Sequence, residues 1–314
     1  MHLIILLYAV FGSSFVLGKM LLKFTTPMFL TGIRMTIGGA ILLAYLLCYA
    51  HEHVKFKRKH LIWYAQMIFF GIYATYGLRF WALSYMPAAK TNFIYNISPF
   101  VSALFSYFLF NERLTSKKWI GLAIGCIGLL PILLTSSSGE RSVGEIAFLS
   151  WPEIAVIISV ITHTYSWLVM RKMIKEKSYS PLMINGIIMV GGGILALATS
   201  WILDGFFPVN TDHLGEFFGI LALIILLSNI ICYNLYGWLL RHYTGTFLSF
   251  SGFLSPLFTA FYGWLLLEET VGWPFFLSCI IVFIGLYLFY QEELAQQRVT
   301  AAEAEPAMEQ FEQE

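Results

Sequence analysis

Charge is what this 314-residue sequence has little of: Asp, Glu, Lys and Arg together make up 12% of it. A soluble chain carries about twice that share, and here hydrophobic residues reach 58%. Cysteines are few and unpaired in spacing. Cys48, Cys126, Cys232 and Cys279 all fall in apolar stretches, so they read as small hydrophobes, and neither a disulfide framework nor a zinc site is implied. There is no glycine loop ending in Lys-Ser or Lys-Thr, which excludes an ATP-driven motor in this chain. The stretch "HEHVKFKRKH" (51–60) lacks the His-Glu-x-x-His spacing of a metalloprotease helix and reads as a basic loop. No metal or cofactor is expected. Nor does a basic residue precede the first apolar run, so residues 1–22 read as a retained helix rather than a signal peptide.

What is present in abundance is apolar run. Segments long enough to cross a bilayer as helices fall at about 2–22, 27–50, 61–82, 88–110, 117–135, 151–170, 181–203, 214–240, 244–267 and 272–290. The fold class is therefore an all-α polytopic membrane protein with ten transmembrane helices, expected in a plasma membrane, the inner membrane of a bacterium. Residues 291–314 hold seven Glu against one Arg and read as a disordered acidic tail. Without them the formal charge rises from +1 to +7, so the membrane body is basic.

The basic residues are placed unevenly, and that asymmetry orients membrane proteins. With the N-terminus in the cytoplasm, the inner connections and tail collect thirteen: Lys55, Lys57, Arg58, Lys59, Arg113, Lys117, Lys118, Arg171, Lys172, Lys175, Lys177, Arg241 and Arg298. The outer side receives Lys19, Lys23, Lys90 and Arg141. Both termini are expected inside.

The chain also repeats itself. "SPFVSALFSYFLFNE" (98–112) returns 157 residues later as "SPLFTAFYGWLLLEE" (255–269), and "YGLRFWAL" (76–83) lies over "YNLYGWLL" (233–240). Gly128-Leu129 lies over Gly285-Leu286; at a slightly smaller offset Pro27 meets Pro181, Ser13 meets Ser166, and Lys19-Met20 meets Lys172-Met173. The organisation is two five-helix repeats, 1–135 and 151–290, joined by an external linker at 136–150. Five is odd, so the second repeat must enter the membrane from the opposite side. Inverted repeats of this kind suit alternating access around a site near mid-membrane, although duplication also serves simply to build a stable bundle.

These motifs resemble the EamA domains of the drug/metabolite transporter superfamily. The likeness is carried by "FGSSFVLGK" (11–19), "GIRMTIGGAILL" (32–43), "SPFVSALFSYFLFNERLT" (98–115) with "GLAIGCIGLL" (121–130), and "SPLFTAFYGWLLLEE" with "VFIGLYL" (282–288). It covers about residues 3–290 and implies a ten-helix secondary carrier with both termini cytoplasmic. Two departures bear on the substrate: Phe11 stands where the family commonly has Trp, and Arg34 faces Ile188 in the second repeat. The short N-terminus and "YNISPF" (95–100) also resemble the S-adenosylmethionine carriers of the superfamily. That resemblance implies S-adenosylmethionine as cargo, exchanged for S-adenosylhomocysteine; amino-acid export, drug efflux and lipid flipping are the alternatives within transport.

Ionisable groups inside spans point to the site, because each costs about 2.5–3.5 kcal/mol at a helix centre. Arg34 lies roughly 12 Å of helix rise below the start of its span. It has no counterpart in the repeat, so it is expected to grip a substrate carboxylate in a forked geometry. Arg79 and Lys90 either join it or reach for outer headgroups. Asn92, Tyr95 and Asn96 follow on the fourth span. His163, with Tyr165 and Trp167, lies on the sixth, and Asn229, Tyr233, Asn234 and Trp238 lie on the eighth. Tyr76, Trp81, Tyr95, Tyr233 and Trp238 are expected to stack on a base or receive a cationic sulfonium.

Pro99 and Pro256 are either hinges or fixed kinks, and Glu112 and Glu269 read as structural anchors at helix ends. Gly121, Gly125 and Gly128 share a helix face that allows close packing, with a homodimer contact as the other reading. Partners are thus a small-molecule substrate and membrane lipid, with a homodimer as an option and no nucleic acid. An enzyme of the membrane interior would need Ser13 or Ser14 to face His163; the reading made here is not an enzyme.

Overall fold

Uninterrupted apolar sequence leaves the backbone one way to satisfy its hydrogen bonds in lipid, within helices. The computed structural model describes residues 2–49, 58–110, 114–177, 179–239, 248 and 251–311, and it is helical nearly throughout. In chain order come α1 (His2–Leu21), α2 (Pro27–Tyr49), α3 (Arg58–Tyr85), α4 (Ala88–Tyr95), α5 (Ser98–Phe110) and α6 (Ser116–Leu133). After a short α7 (Ser138–Val143) and a two-stranded hairpin, β1 (Glu145–Ile146) and β2 (Leu149–Ser150), come α8 (Trp151–Lys177) and α9 (Pro181–Asp204). The chain continues as α10 (residues 211–239), α11 (Leu254–Leu267) and α12 (Trp273–Phe311). Among the described residues eight helices are long and apolar enough to cross a membrane, and α11 is a shorter apolar one.

The fourth expected span is not one helix but two. Pro99 has no N–H to return to the carbonyl of Tyr95, and its ring crowds that carbonyl, so α4 stops at Tyr95. The backbone N–H and the side-chain amide of Asn96 both donate to the carbonyl of Asn92, sealing the break. Pro256, 157 residues on, follows a corresponding turn at Gly252–Phe253. Winding also changes at equivalent places: π-helical turns occupy Met67–Ala74 of α3 and Ile225–Cys232 of α10. Such turns recur at functional sites, because they re-aim the side chains that follow.

Packing follows the sequence repeat. α2 lies along α9 and α6 along α12, each helix paired with its own counterpart; α1 packs on α10 and α11, just as α8 packs on α3, α4 and α5. The two self-paired contacts are glycine-lined. A Cβ on Gly193 would sit 2.6 Å from the backbone nitrogen of Thr36, and one on Gly285 would sit 2.6 Å from that of Gly125. The face of Gly121, Gly125 and Gly128 is covered within the chain by α12 and, at Gly125, by Phe100 of α5.

The last helix, α12, runs on past the apolar stretch to Phe311. Ala, Glu, Gln and Met favour the helix, and extending an existing helix avoids the cost of nucleating one. The linker at 136–150 is folded around Lys90. Ser137-x-x-Glu140 is a capping box that starts α7, and Ser150 and Glu153 bond reciprocally at the start of α8. The outer oxygens of both carboxylates converge on Lys90 Nζ, at 2.5 Å from Glu140 and 2.6 Å from Glu153, and the carbonyl of Thr135 takes the third donor at 2.5 Å. All three charged groups are buried. Lys90 pins the linker to α4.

Candidate substrate-binding cavity

The helix breaks and the π-helical turns surround one cavity of about 330 Å³, within the size range of small-molecule sites, about 300–1,000 Å³. Tyr8, Phe11, Ser14 and Phe15 line it from α1, Arg34 from α2, and Tyr76 and Arg79 from α3. The broken fourth span contributes Asn92, Tyr95 and Asn96 before the break and Ser98, Pro99 and Ser102 after it. His163, Thr164 and Trp167 come from α8, Ser228 and Tyr236 from α10, and Ser255 from α11. No Asp or Glu is among these lining residues, while two arginines are.

The arginines are held by different means. Arg34 is 2% exposed; its Nη2 donates to Ser228 Oγ at 2.8 Å and its Nε to Asn229 Oδ1 at 3.2 Å. The π-helical turn of α10 supplies both acceptors, so the second half of the chain aims the cation of the first. Arg79 is held by rings: its guanidinium carbon lies 4.2 Å from the ring centre of Tyr76, 5.0 Å from Tyr95, 5.2 Å from Phe15 and 5.4 Å from Phe80. Arg34 approaches Tyr76 and Phe80 as well, at 5.8 Å each. Ring faces hold a cation without neutralising it. Two guanidinium groups against the same two rings, with no carboxylate among the described residues of the wall, make a site that favours an anionic group.

Beside them runs a polar strip. Asn92 Nδ2 donates to Ser255 Oγ at 2.9 Å and to Thr259 Oγ1 at 2.6 Å, and Asn96 Nδ2 donates to Asn92 Oδ1 at 2.7 Å. Thr259 Oγ1 also lies 3.0 Å from the carbonyl of Gly12, where a Cβ on the glycine would meet the carbonyl oxygen of Ser255 at 2.8 Å. Gly12 therefore lets α1 and α11 close on each other. Farther along the same helices Lys19 pairs with Glu269 Oε1 at 2.5 Å, and the backbone N–H of Ala88 donates to Glu269 Oε2 at 2.8 Å.

Of the residues singled out in the sequence, the cavity brings together Arg34, Tyr76, Arg79, Asn92, Tyr95, Asn96, His163 and Pro99. Asn229 stands behind Arg34 rather than on the wall. Lys90 is not in the cavity, because the two linker carboxylates take it. Trp81 is also elsewhere, packed 5.4 Å from the ring of Tyr85 within a separate apolar cluster, and Trp238 is 44% exposed. Pro256 is buried at the start of α11. The side chains of Tyr233 and Asn234, and all of Glu112, lie outside the described residues. Sequence reasoning tied Phe11 only to a family departure and Ser14 only to an enzyme pattern, and missed Tyr8 and Phe15 of α1 altogether. The signal was there in Tyr8, Phe11 and Phe15, at i, i+3 and i+7, with Ser14 beside them. Ser13 and Ser14 donate to the carbonyls of Val10 and Phe11, and His163 Nε2 accepts from Trp167.

A helical membrane bundle with repeated halves and a polar cavity bounded by broken helices is the build of a small-molecule carrier. The profile of the EamA-like transporter family matches residues 1–134 and again 150–291, and the chain belongs to that family. It is a multi-pass transporter of the bacterial inner membrane. Among its relatives is the S-adenosylmethionine/S-adenosylhomocysteine transporter of Chlamydia muridarum, 35% identical over 94% of this chain and 92% of that protein. The transporter of the same name from Chlamydia trachomatis serovar L2 is 34% identical over 94% and 90%. A probable amino-acid metabolite efflux pump of Escherichia coli is 24% identical over 91% of this chain and 93% of its own. One solved crystal structure superposes with a TM-score of 0.60 over 95% of this chain and 96% of its own, at 17% identity, a likeness of fold.

Proposed function

We propose that the protein carries S-adenosylmethionine across the membrane by alternating access, in exchange for S-adenosylhomocysteine. The observation that carries the reading is a cavity with two arginines and, among its described lining residues, no carboxylate, in a chain 35% identical to a carrier of that name. The substrate's carboxylate goes to Arg34, whose guanidinium is already aimed by Ser228 and Asn229. Its sulfonium goes to a ring away from the arginines, the Trp167 indole on the cavity wall, a contact worth about 0.5–2 kcal/mol. S-adenosylhomocysteine lacks only that methyl group and its charge, so one cavity serves both partners of an exchange.

Ten spans, with both termini inside, complete the reading: α4 and α5 form one broken span and α11 ends another. The unequal distribution of Lys and Arg supports that orientation. Alternating access then requires α1 and α11 to part at the Lys19–Glu269 end in one state and to meet there in the other. The likeness to the amino-acid efflux pump supports a second reading, export of an amino acid through the same arginine pair. Uptake of a radiolabelled panel into proteoliposomes separates the two. S-adenosylmethionine should enter and free methionine should not; entry of methionine alone favours the second reading.

A further inference from the structure

His163 lies on α8 with its ring at the cavity. Its Nε2 accepts the indole N–H of Trp167, one turn on, at 2.8 Å. A ring nitrogen that accepts carries no proton, so the neutral imidazole holds its proton on Nδ1, a tautomer assigned here from the hydrogen-bond network. That Nδ1 is buried and has no hydrogen-bond partner among the described residues. A buried donor left unpaired is costly to maintain, which points to an acceptor outside the chain.

The neighbours of His163 say which acceptor. Its ring centre is 5.5 Å from that of Tyr95, and Trp167 meets it edge-on at 6.0 Å. Tyr95 also lies 5.0 Å from the guanidinium of Arg79. The cavity therefore offers two kinds of donor, the guanidinium groups of Arg34 and Arg79 and, next to Tyr95, a neutral N–H beside the ring of Trp167.

We propose that the Nδ1–H of His163 is a specificity-determining donor that reads a ring nitrogen on the edge of the substrate's heteroaromatic base. The base lies against the Tyr95 and Trp167 rings while the arginines hold the carboxylate. An amino acid alone meets the arginines; a nucleoside alone meets the histidine; the joined molecule meets both. This rests on the substrate reading above and adds how the site tells a nucleoside-bearing amino acid from a plain one.

The test pairs deletion of the donor with deletion of the acceptor. Wild type, His163→Ala and His163→Gln are reconstituted in proteoliposomes. Labelled S-adenosylmethionine uptake is then competed by S-adenosylhomocysteine, by its 1-deaza, 3-deaza and 7-deaza analogues, and by methionine. One deaza analogue should compete about tenfold more weakly than the parent in wild type, the size of a lost buried hydrogen bond. In His163→Ala the parent should fall about tenfold to meet that analogue, because the two deletions remove one contact and do not add. Competition by methionine should not change, and His163→Gln, which keeps an N–H, should retain part of the discrimination.

Unchanged discrimination in His163→Ala, as for a histidine that holds only solvent, overturns the assignment. So does an equal loss for every competitor. Should wild type take up no S-adenosylmethionine, the substrate reading fails, and ¹⁵N-histidine spectra with added adenosine decide the His163 assignment separately. A shifted Nδ1 resonance, identified by its absence in His163→Gln, upholds the donor, and an unmoved one refutes it.

Discussion

Lys90→Met separates a structural lysine from a substrate-binding one. The change removes the only cation facing Glu140 and Glu153 among their described contacts, and both carboxylates are fully buried. Breaking a buried ion pair by deleting one partner costs about 3–5 kcal/mol, and here two carboxylates are stranded rather than one. At about 2–4 °C per kcal/mol for a large domain, the unfolding midpoint should fall by roughly 6–20 °C. The assay is thermal unfolding of purified protein in detergent, followed by fluorescence-detected size exclusion. The decisive variant adds Glu140→Gln and Glu153→Gln to Lys90→Met. Glutamine still accepts the cap N–H of Ser137 or Ser150, and no buried charge remains. That triple variant should recover most of the midpoint and transport with a near-normal half-saturation concentration. The reasoning is refuted if Lys90→Met keeps the wild-type midpoint but loses substrate affinity, for then Lys90 belongs to the binding site after all.

Other outcomes follow from the same geometry. Arg34→Lys should fold normally yet raise the half-saturation concentration for S-adenosylmethionine at least about tenfold, since an ammonium cannot reach Ser228, Asn229 and a carboxylate at once; normal uptake would make Arg34 a purely structural charge. Gly285→Leu should lose folded yield in size exclusion, because its Cβ would press on the backbone of Gly125 at 2.6 Å, whereas Gly219→Leu, with nothing within 4 Å, should not. Epitope tags inserted at 52–57 should be cytoplasmic and at 206–213 external; an external tag at 52–57 overturns the orientation.

The bundle was legible because its signals are long: apolar runs, a 157-residue repeat and asymmetric basic loops. Arg34, Arg79, Asn92 and His163 stood out because polar groups are conspicuous in apolar spans. Lys90 stood out for the same reason and misled, since its partners Glu140, on a linker that looked merely polar, and Glu153, in the first turn of α8, lie 50 and 63 residues away. Sequence alone does not say that two capping boxes fold back to bury their own carboxylates. Trp81 and Trp238 misled differently: one turns into a neighbouring apolar cluster and the other onto the surface. In a membrane span both faces are apolar, so composition cannot tell lipid from cavity. The break in the fourth span was readable from Pro99, but the π-helical turns that bring Ser228 and Asn229 to Arg34 left no mark in residue type.

The central claim is exchange of S-adenosylmethionine for S-adenosylhomocysteine through the arginine cavity, and counterflow measures it directly. Purified protein is reconstituted into vesicles that are empty or preloaded with unlabelled S-adenosylhomocysteine, and the initial rate of labelled S-adenosylmethionine entry is recorded. Preloading should accelerate entry several-fold in wild type, and the acceleration should vanish in Arg34→Lys. Entry no faster than in protein-free vesicles, with or without preloading, would contradict the account.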